Sequence, residues 1–280
     1  MNILNYKLDT TNELLTSRVG LLTTAHTMQA LDLSNIIDKH FPALGSNRAL
    51  KASTFVNTLV LSQHEGGECL DDTTHIAKDK ALGMLINQQT PTPQAIGTWL
   101  RRLGKNNQGV KALLKANKTL LSSALHNCKN ITLDIDASEV IANKVDAQWT
   151  YKSNKGYMPM VGHIAQTSQI VATDFRAGNI SPNTDNLGFI KHCQKALPKG
   201  VKVNKLRIDA AGYQVKIIDY CFAKKLSLLS GQKCANLSKT LLLIKTTSGK
   251  HCLTKMAKLL MGKPLLKCNI LSVKMALSLI

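Results

Sequence analysis

The spacing of apolar residues divides the chain into two regimes. Over residues 10–128, apolar positions recur at helical intervals between polar or glycine-containing breaks. This predicts helices over Leu14–Leu31, Asn35–Phe41, Lys51–Gln63, Cys69–Ile86 and Gln108–Leu125. The stretch Thr92–Gly104 is the most informative. Thr92 can cap a helix, Pro93 suits a first turn, and Ile96, Trp99, Leu100 and Leu103 fall on one stripe. Arg101, Arg102 and Lys105 gather at its polar end, where they could touch phosphates. With the preceding helix and the Pro/Thr turn, this reads as a helix-turn-helix. An ordinary packed helix with solvated arginines fits the same pattern.

From Asn130 the period changes. Ile131–Asp136 alternates strictly, so Leu133 and Ile135 share one face of a strand while Asp134 and Asp136 share the other. Strand-like runs follow at Met160–Gln166 and Gln169–Phe175, then a helix over Asn186–Leu197, a strand over Lys205–Asp209 and a helix over Tyr213–Lys224. The order strand, strand, strand, helix, strand, helix opens an α/β fold of the RNase H-like kind, a mixed sheet flanked by helices, here preceded by an all-α N-terminal domain. In such a sheet the first and fourth strands are central neighbours, and their carboxyl ends would bring Asp136 and Asp209 together. Two carboxylates so placed suit a hard divalent cation and in-line phosphoryl displacement. Taken singly, each is as well explained as a turn or cap aspartate.

Charge adds a partner. The formal net charge is +19, and basic side chains that neutralise phosphates drive nucleic-acid binding through counterion release. The last 54 residues hold nine of the lysines and no acid, so the rest of the chain is only moderately basic. The seven cysteines include no CxxC pair, which signals neither a zinc site nor a disulfide framework. The start of the chain lacks a signal-peptide pattern and no apolar run reaches about 20 residues, so the expectation is a cytoplasmic protein away from membranes.

Several segments carry a resemblance. Leu133-Asp134-Ile135-Asp136-Ala137-Ser138-Glu139 resembles the first-aspartate motif of group-1 DDE transposases of bacterial insertion sequences. Ala147–Tyr151, Gly156–Met160, Phe175–Asn179 and Leu206–Gln214 resemble successive later blocks. Leu15–Arg18, Gly45–Arg48 and Thr98–Leu103 resemble the helical DNA-binding region, so the likeness runs in order from about residue 10 to residue 226. It implies Asp136 as the first metal ligand, with Asp134 the alternative on the same face, and Asp209 as the second. Mg2+ or Mn2+ is the implied cofactor. The implied partners are the terminal repeats of a transposon and target DNA, with a homodimer acting at the bacterial nucleoid. Arg48, Arg101, Arg102, Lys105 and Arg176 are the expected DNA contacts. For Arg176 and Asn179, a charged residue and a turn residue after a strand are the competing reading. His163 reads as a satisfied strand histidine.

The family's third acid, a late glutamate, has no counterpart, because no Asp or Glu follows Asp219. Met256, Met261 and Met275 are each followed by Ala or Gly. Reading their codons from the third letter of the preceding one turns each into a residue followed by glycine, which restores turn-like pairs. Residues 227–280 are therefore expected to be translated out of frame, after a helical domain at 1–128 and an incomplete catalytic domain at 129–226. A basic, DNA-binding tail is the competing explanation. The expected function is metal-dependent strand cleavage and transfer at terminal repeats, with this polypeptide inactive by itself. The alternatives are a truncated product that only occupies transposon ends and, further off, a host nuclease of the same fold.

Overall fold

The computed structural model describes residues 11–42, 46, 49–87, 89–209 and 212–231, together with the backbone of Leu241–Ile244. The described residues divide into two compact units on either side of Leu113/Leu114. This division falls earlier than the change of period at Asn130. The helix Gln108–Ala124 crosses it, and the later part of that helix commits Leu121 and the following Leu125 to the core of the second unit.

The first unit is helical: α1 (Leu21–Ala30), α2 (Leu33–His40), α3 (Ala52–Glu65), α4 (Thr73–Lys78), α5 (Lys80–Ile86), α6 (Pro93–Gly104) and the start of α7 (Gln108–Ala124). Its core includes Leu21, Met28, Leu61, Ile76 and Leu82. The Trp99 ring stacks on Phe55 at 4.8 Å and on Phe41 at 5.9 Å. Thr92 caps α6 as its sequence predicts, its Oγ1 accepting from the Ala95 N–H at 3.2 Å.

Two expected helices are shorter or broken, and short polar side chains are the cause. Helix α1 begins at Leu21 because Thr16 and Arg18 are used otherwise: Thr16 Oγ1 donates to Asp79 Oδ2 at 2.6 Å, and Arg18 pairs with Glu65 and Asp79. The single helix expected over Cys69–Ile86 is a 3-10 turn followed by two helices. Asp72 accepts from the Glu68 and Cys69 N–H groups, and Asp79 accepts from the Leu82 N–H at 2.9 Å and starts α5. An aspartate that satisfies the first N–H groups of a new helix competes with continuing the old one.

The second unit carries a mixed sheet of β1 (Asn130–Ala137), β5 (Met160–Ile164), β6 (Ile170–Asp174), β7 (Lys202–Ile208), β8 (Ser227–Gly231) and β9 (Leu241–Ile244), in the order β6-β5-β1-β7-β8-β9. The first three are antiparallel neighbours, whereas β1 with β7 and β7 with β8 are parallel. Helix α8 (Asn186–Ala196) precedes β7 and α9 (Val215–Lys224) connects β7 to β8. This is the RNase H-like arrangement. Between β1 and β5 lies a small second sheet, β2 (Val140–Ile141), β4 (Lys155–Tyr157) and β3 (Gln148–Trp149), whose two- and three-residue strands are too short to show alternation in sequence. The main sheet also continues past the expected boundary at residue 226. Leu226 and Leu228 enter the core, and Leu228 lies opposite Leu206. The remaining residues of the expected out-of-frame segment lie outside those whose side chains are described.

Burial explains the order. Ile131, Leu133 and Ile135 cover one face of β1 and pack with Met160, Ile164, Phe189, Ile190, Leu206 and Ile208. Close approach of α8 depends on Gly162, where an added Cβ would lie 2.6 Å from Cys193 Sγ. Burial pushes that thiol up to about 12, so it stays protonated and acts as a small apolar side chain. Gly162→Ala is expected to lower stability by about 1–3 kcal/mol through overpacking. In a Cys193→Ala background the same change should cost less than half as much, as urea unfolding of the two pairs would measure.

Candidate active site

The sheet decides where the two aspartates meet. In the parallel pairing of β1 with β7, Asp134 lies opposite Arg207 and Ile135 opposite Ile208. Asp136, near the end of β1, and Asp209, just past β7, are the next residues along. The N–H of Ala137 donates to Asp136 Oδ1 at 2.9 Å. Past Asp209 the chain turns at once: the Gly212 N–H donates to the Asp209 carbonyl at 3.0 Å, and so does Ser230 Oγ of β8, also at 3.0 Å. Gly212 is needed there, because a Cβ would fall within 2.3 Å of the Ile208 side chain.

The Asp136 carboxyl is held above the usual aspartate range. Desolvation is the largest cause and the negative charge of Asp209 adds to it, while the Ala137 N–H, His163 and Lys152 act against it. The last three reduce the shift without reversing it. Two carboxylates at neighbouring strand ends form the oxygen donor set a hard divalent ion prefers. The residues present therefore fit such an ion. Among the described residues, no group of three or more Asp, Glu, His or Cys side chains clusters.

Asp134 has a different environment two residues earlier. It is 5% exposed, and its Oδ2 accepts from Arg207 and lies 3.3 Å from His163 Nε2. Its Oδ1 is buried without a partner. Both neighbours are its cross-strand partners, on β7 and β5, so Asp134 is tied into the sheet. His163 thus has an ionic neighbour.

The expected DNA contacts fall in three groups. Arg101, Arg102 and Lys105 are exposed at the end of α6, opposite the buried Ile96, Trp99 and Leu103; Arg101 Nη2 donates to Thr98 Oγ1 at 3.2 Å. The connection from α5 to α6 spans residues 87–92, longer than the about three or four residues of a helix-turn-helix turn. Arg48 lies outside the described residues. Arg176 corrects the expectation. It is 6% exposed, its Nε donates to Asp174 Oδ2 at 2.7 Å and its Nη1 to the Thr184 carbonyl at 2.6 Å. Its charge fastens the loop after β6 and is withheld from the surface, while Asn179 is exposed.

One group near the site was not legible in sequence. Glu139, just past Asp136, accepts from Thr150 Oγ1 and from Asn154 Nδ2 at 3.3 and 3.4 Å, and Lys152 Nζ lies 3.9 Å from it. These contacts tie the turn between β3 and β4 to the end of β1 and bring a lysine toward Asp136. Only the closeness of Glu139 to Asp136 in sequence pointed to it.

Comparison with known proteins identifies the family. The family described as "Transposase DDE domain group 1" matches residues 4–249. Among curated proteins no sequence matches. Among solved structures, a piggyBac transposase in a synaptic complex with hairpin DNA aligns with a TM-score of 0.36 and 12% identity, over 73% of this chain and 47% of that one. The chain thus spans about half the length of that relative. With the family match running through both units and the sheet that holds Asp136 and Asp209, the chain belongs to the group 1 DDE-domain transposases.

Proposed function

We propose that this chain derives from an insertion-sequence transposase whose chemistry is metal-dependent phosphoryl transfer on DNA, with Asp136 and Asp209 as the carboxylates that hold the ion. The observation that supports the reading is the placement of these two residues at the ends of parallel neighbours β1 and β7, close enough for the charge of Asp209 to act on Asp136. DDE transposase domains depend on divalent metal ions, and Mg2+ or Mn2+ is the ion proposed here. Such an ion would activate an attacking hydroxyl and stabilise the leaving oxygen in an in-line displacement. Asp134, clamped by Arg207 and His163, serves to keep β1, β5 and β7 in register beside the ligands. The exposed Arg101, Arg102 and Lys105 are proposed to contact backbone phosphates of the terminal repeats. A homodimer acting on two DNA ends at the nucleoid goes with this reading.

The chain supplies no acidic residue after Asp219, so residues 220–280 contribute no third carboxylate to the set. Loss of one member of a cooperative catalytic group typically costs orders of magnitude in rate. We therefore propose that this polypeptide binds DNA ends without cutting or joining them by itself. The closest alternative, a product that only occupies the ends, shares that behaviour, and the absence of acids over residues 220–280 favours it. A gel-shift assay paired with nicking of supercoiled plasmid in Mg2+ or Mn2+ is the test. Binding without nicking is expected, and metal-dependent nicking abolished by Asp136→Ala would overturn the inactivity.

Two measurements address the residues. If Arg101 and Arg102 neutralise phosphates, replacing both with Ala should weaken duplex binding. The slope of log affinity against log salt should then become shallower by about 2. For Asp136, the folded chain holds its proton more tightly than the unfolded chain. Its ionisation therefore costs stability, a cost that sets in as pH rises from the ordinary aspartate value through the raised folded value and is absent below both. Asp136→Asn is accordingly expected to raise the melting temperature in metal-free buffer at neutral pH by about 1–2 °C. The gain should vanish in acid, and Mg2+ or Mn2+ should stabilise the parent chain and not the variant.

A further inference from the structure

The excursion between β1 and β5, residues 138–159, carries side chains that the two carboxylates leave unexplained. Of the two tryptophans in the chain, Trp99 is sealed between Phe41 and Phe55, whereas Trp149 on β3 is 67% exposed. Tyr151, two residues on, is 66% exposed. In a chain with only 4% aromatic residues, two large rings left in water at one small sheet forgo a burial that the fold gives to Trp99.

Basic groups surround the rings. Lys155 is the cross-strand partner of Trp149 and shares its face of the small sheet, and Lys152 Nζ lies 5.7 Å from the centre of the Tyr151 ring. The acids of the excursion are already engaged, Glu139 by Thr150, Asn154 and Lys152, and Asp146 by the Tyr157 hydroxyl. The support is stiff. The Thr150 N–H donates to the Asn154 carbonyl at 2.8 Å and closes the turn. Gly178 backs the sheet so closely that a Cβ there would lie 2.3 Å from the Gln148 carbonyl and 2.5 Å from that of Gly156. Glu139 then holds this assembly against the end of β1, beside Asp136.

We infer that Trp149 and Tyr151 form a stacking platform for unpaired nucleotides of the DNA brought to Asp136 and Asp209, with Lys152 and Lys155 on the flanking phosphates. The inference rests on the DNA reading above and names a part of the DNA it leaves open. Alternating rings and lysines are what single-stranded nucleic acid recognises, since every base offers a π-face and every linkage a charge. A second copy of the chain suits the surface less well. The two rings with the exposed Ile141 and Val145 offer on the order of 500 Å2, short of the about 800 Å2 per partner of a stable dimer.

The test uses the full chain with two probes, a blunt DNA duplex and the same duplex carrying a short oligothymidine tail. The tail should tighten binding and quench tryptophan fluorescence. Trp149→Ala should abolish the quenching and weaken the tailed complex about 5- to 150-fold, leave the blunt complex unaffected and preserve the circular dichroism spectrum. Trp149→Phe, which keeps a ring, should retain most of the preference. Equal affinity of the parent chain for both probes, or a Trp149→Ala variant that still prefers the tail, overturns the platform while leaving duplex binding intact. Failure of both probes to bind defeats the DNA reading itself, and the platform with it. A Trp149→Ala variant that turns a dimer into a monomer in sedimentation without altering tail preference assigns the surface to a second copy and also overturns it.

Discussion

Parallel hydrogen bonding between β1 and β7 is the constraint on which every functional statement depends. Parallel neighbours end on the same side of a sheet, and the register that sets Asp134 opposite Arg207 carries Asp136 and Asp209 to adjoining ends. An antiparallel pairing of the same two strands would send their carboxyl ends in opposite directions. A slip of one residue would turn the alternating set of side chains over to the other face. The pairing in turn stands on burial, since Ile131, Leu133 and Ile135 on β1 and Leu206 and Ile208 on β7 share a single apolar cluster with α8 and α9. Core packing and site geometry are here one set of contacts seen from two faces.

Asp134 and Asp136 show how far the environment separates two identical side chains on the same strand face. One is enclosed and compensated by a guanidinium and an imidazole from its two neighbouring strands. The other is at the strand end, reached by solvent yet partly desolvated by its surroundings and set against a second carboxylate. The second arrangement works against the fold. Such an arrangement persists where something outside the chain's own stability maintains it.

Much of this was visible in the sequence, for identifiable reasons. Strict alternation marked β1, and apolar spacing with a Thr-Pro start marked α6. The order of elements predicted the adjacency of β1 and β7 before any coordinates. Alternation alone could not choose between Asp134 and Asp136, because both lie on the same face; the resemblance made that choice. The break at Asp79 was hidden because helical spacing continues across it, and the carboxylate that caps the next helix is held on its other oxygen by Thr16, far away in sequence. Arg176 read as a surface cation because its partners, Asp174 and the Thr184 carbonyl, form a pocket only after folding. The small sheet was illegible because its strands are shorter than a period. β8 was set aside for the Lys, Leu and Ser composition of the residues from 227 onward, although its Leu228 enters the core.

The place where the small sheet joins the main one has a broader meaning. Ala137 and Met160 face each other as paired residues, and the Ser138 N–H donates to the Pro159 carbonyl at 2.9 Å, so the excursion leaves and returns through a closed neck. Chain length added or removed beyond such a neck alters the closure entropy only slowly and leaves the strands behind it in place. Relatives could thus exchange whatever lies outside the neck, and with it what they grip, while the acid pair beneath stays as it is: recognition free to drift, chemistry anchored.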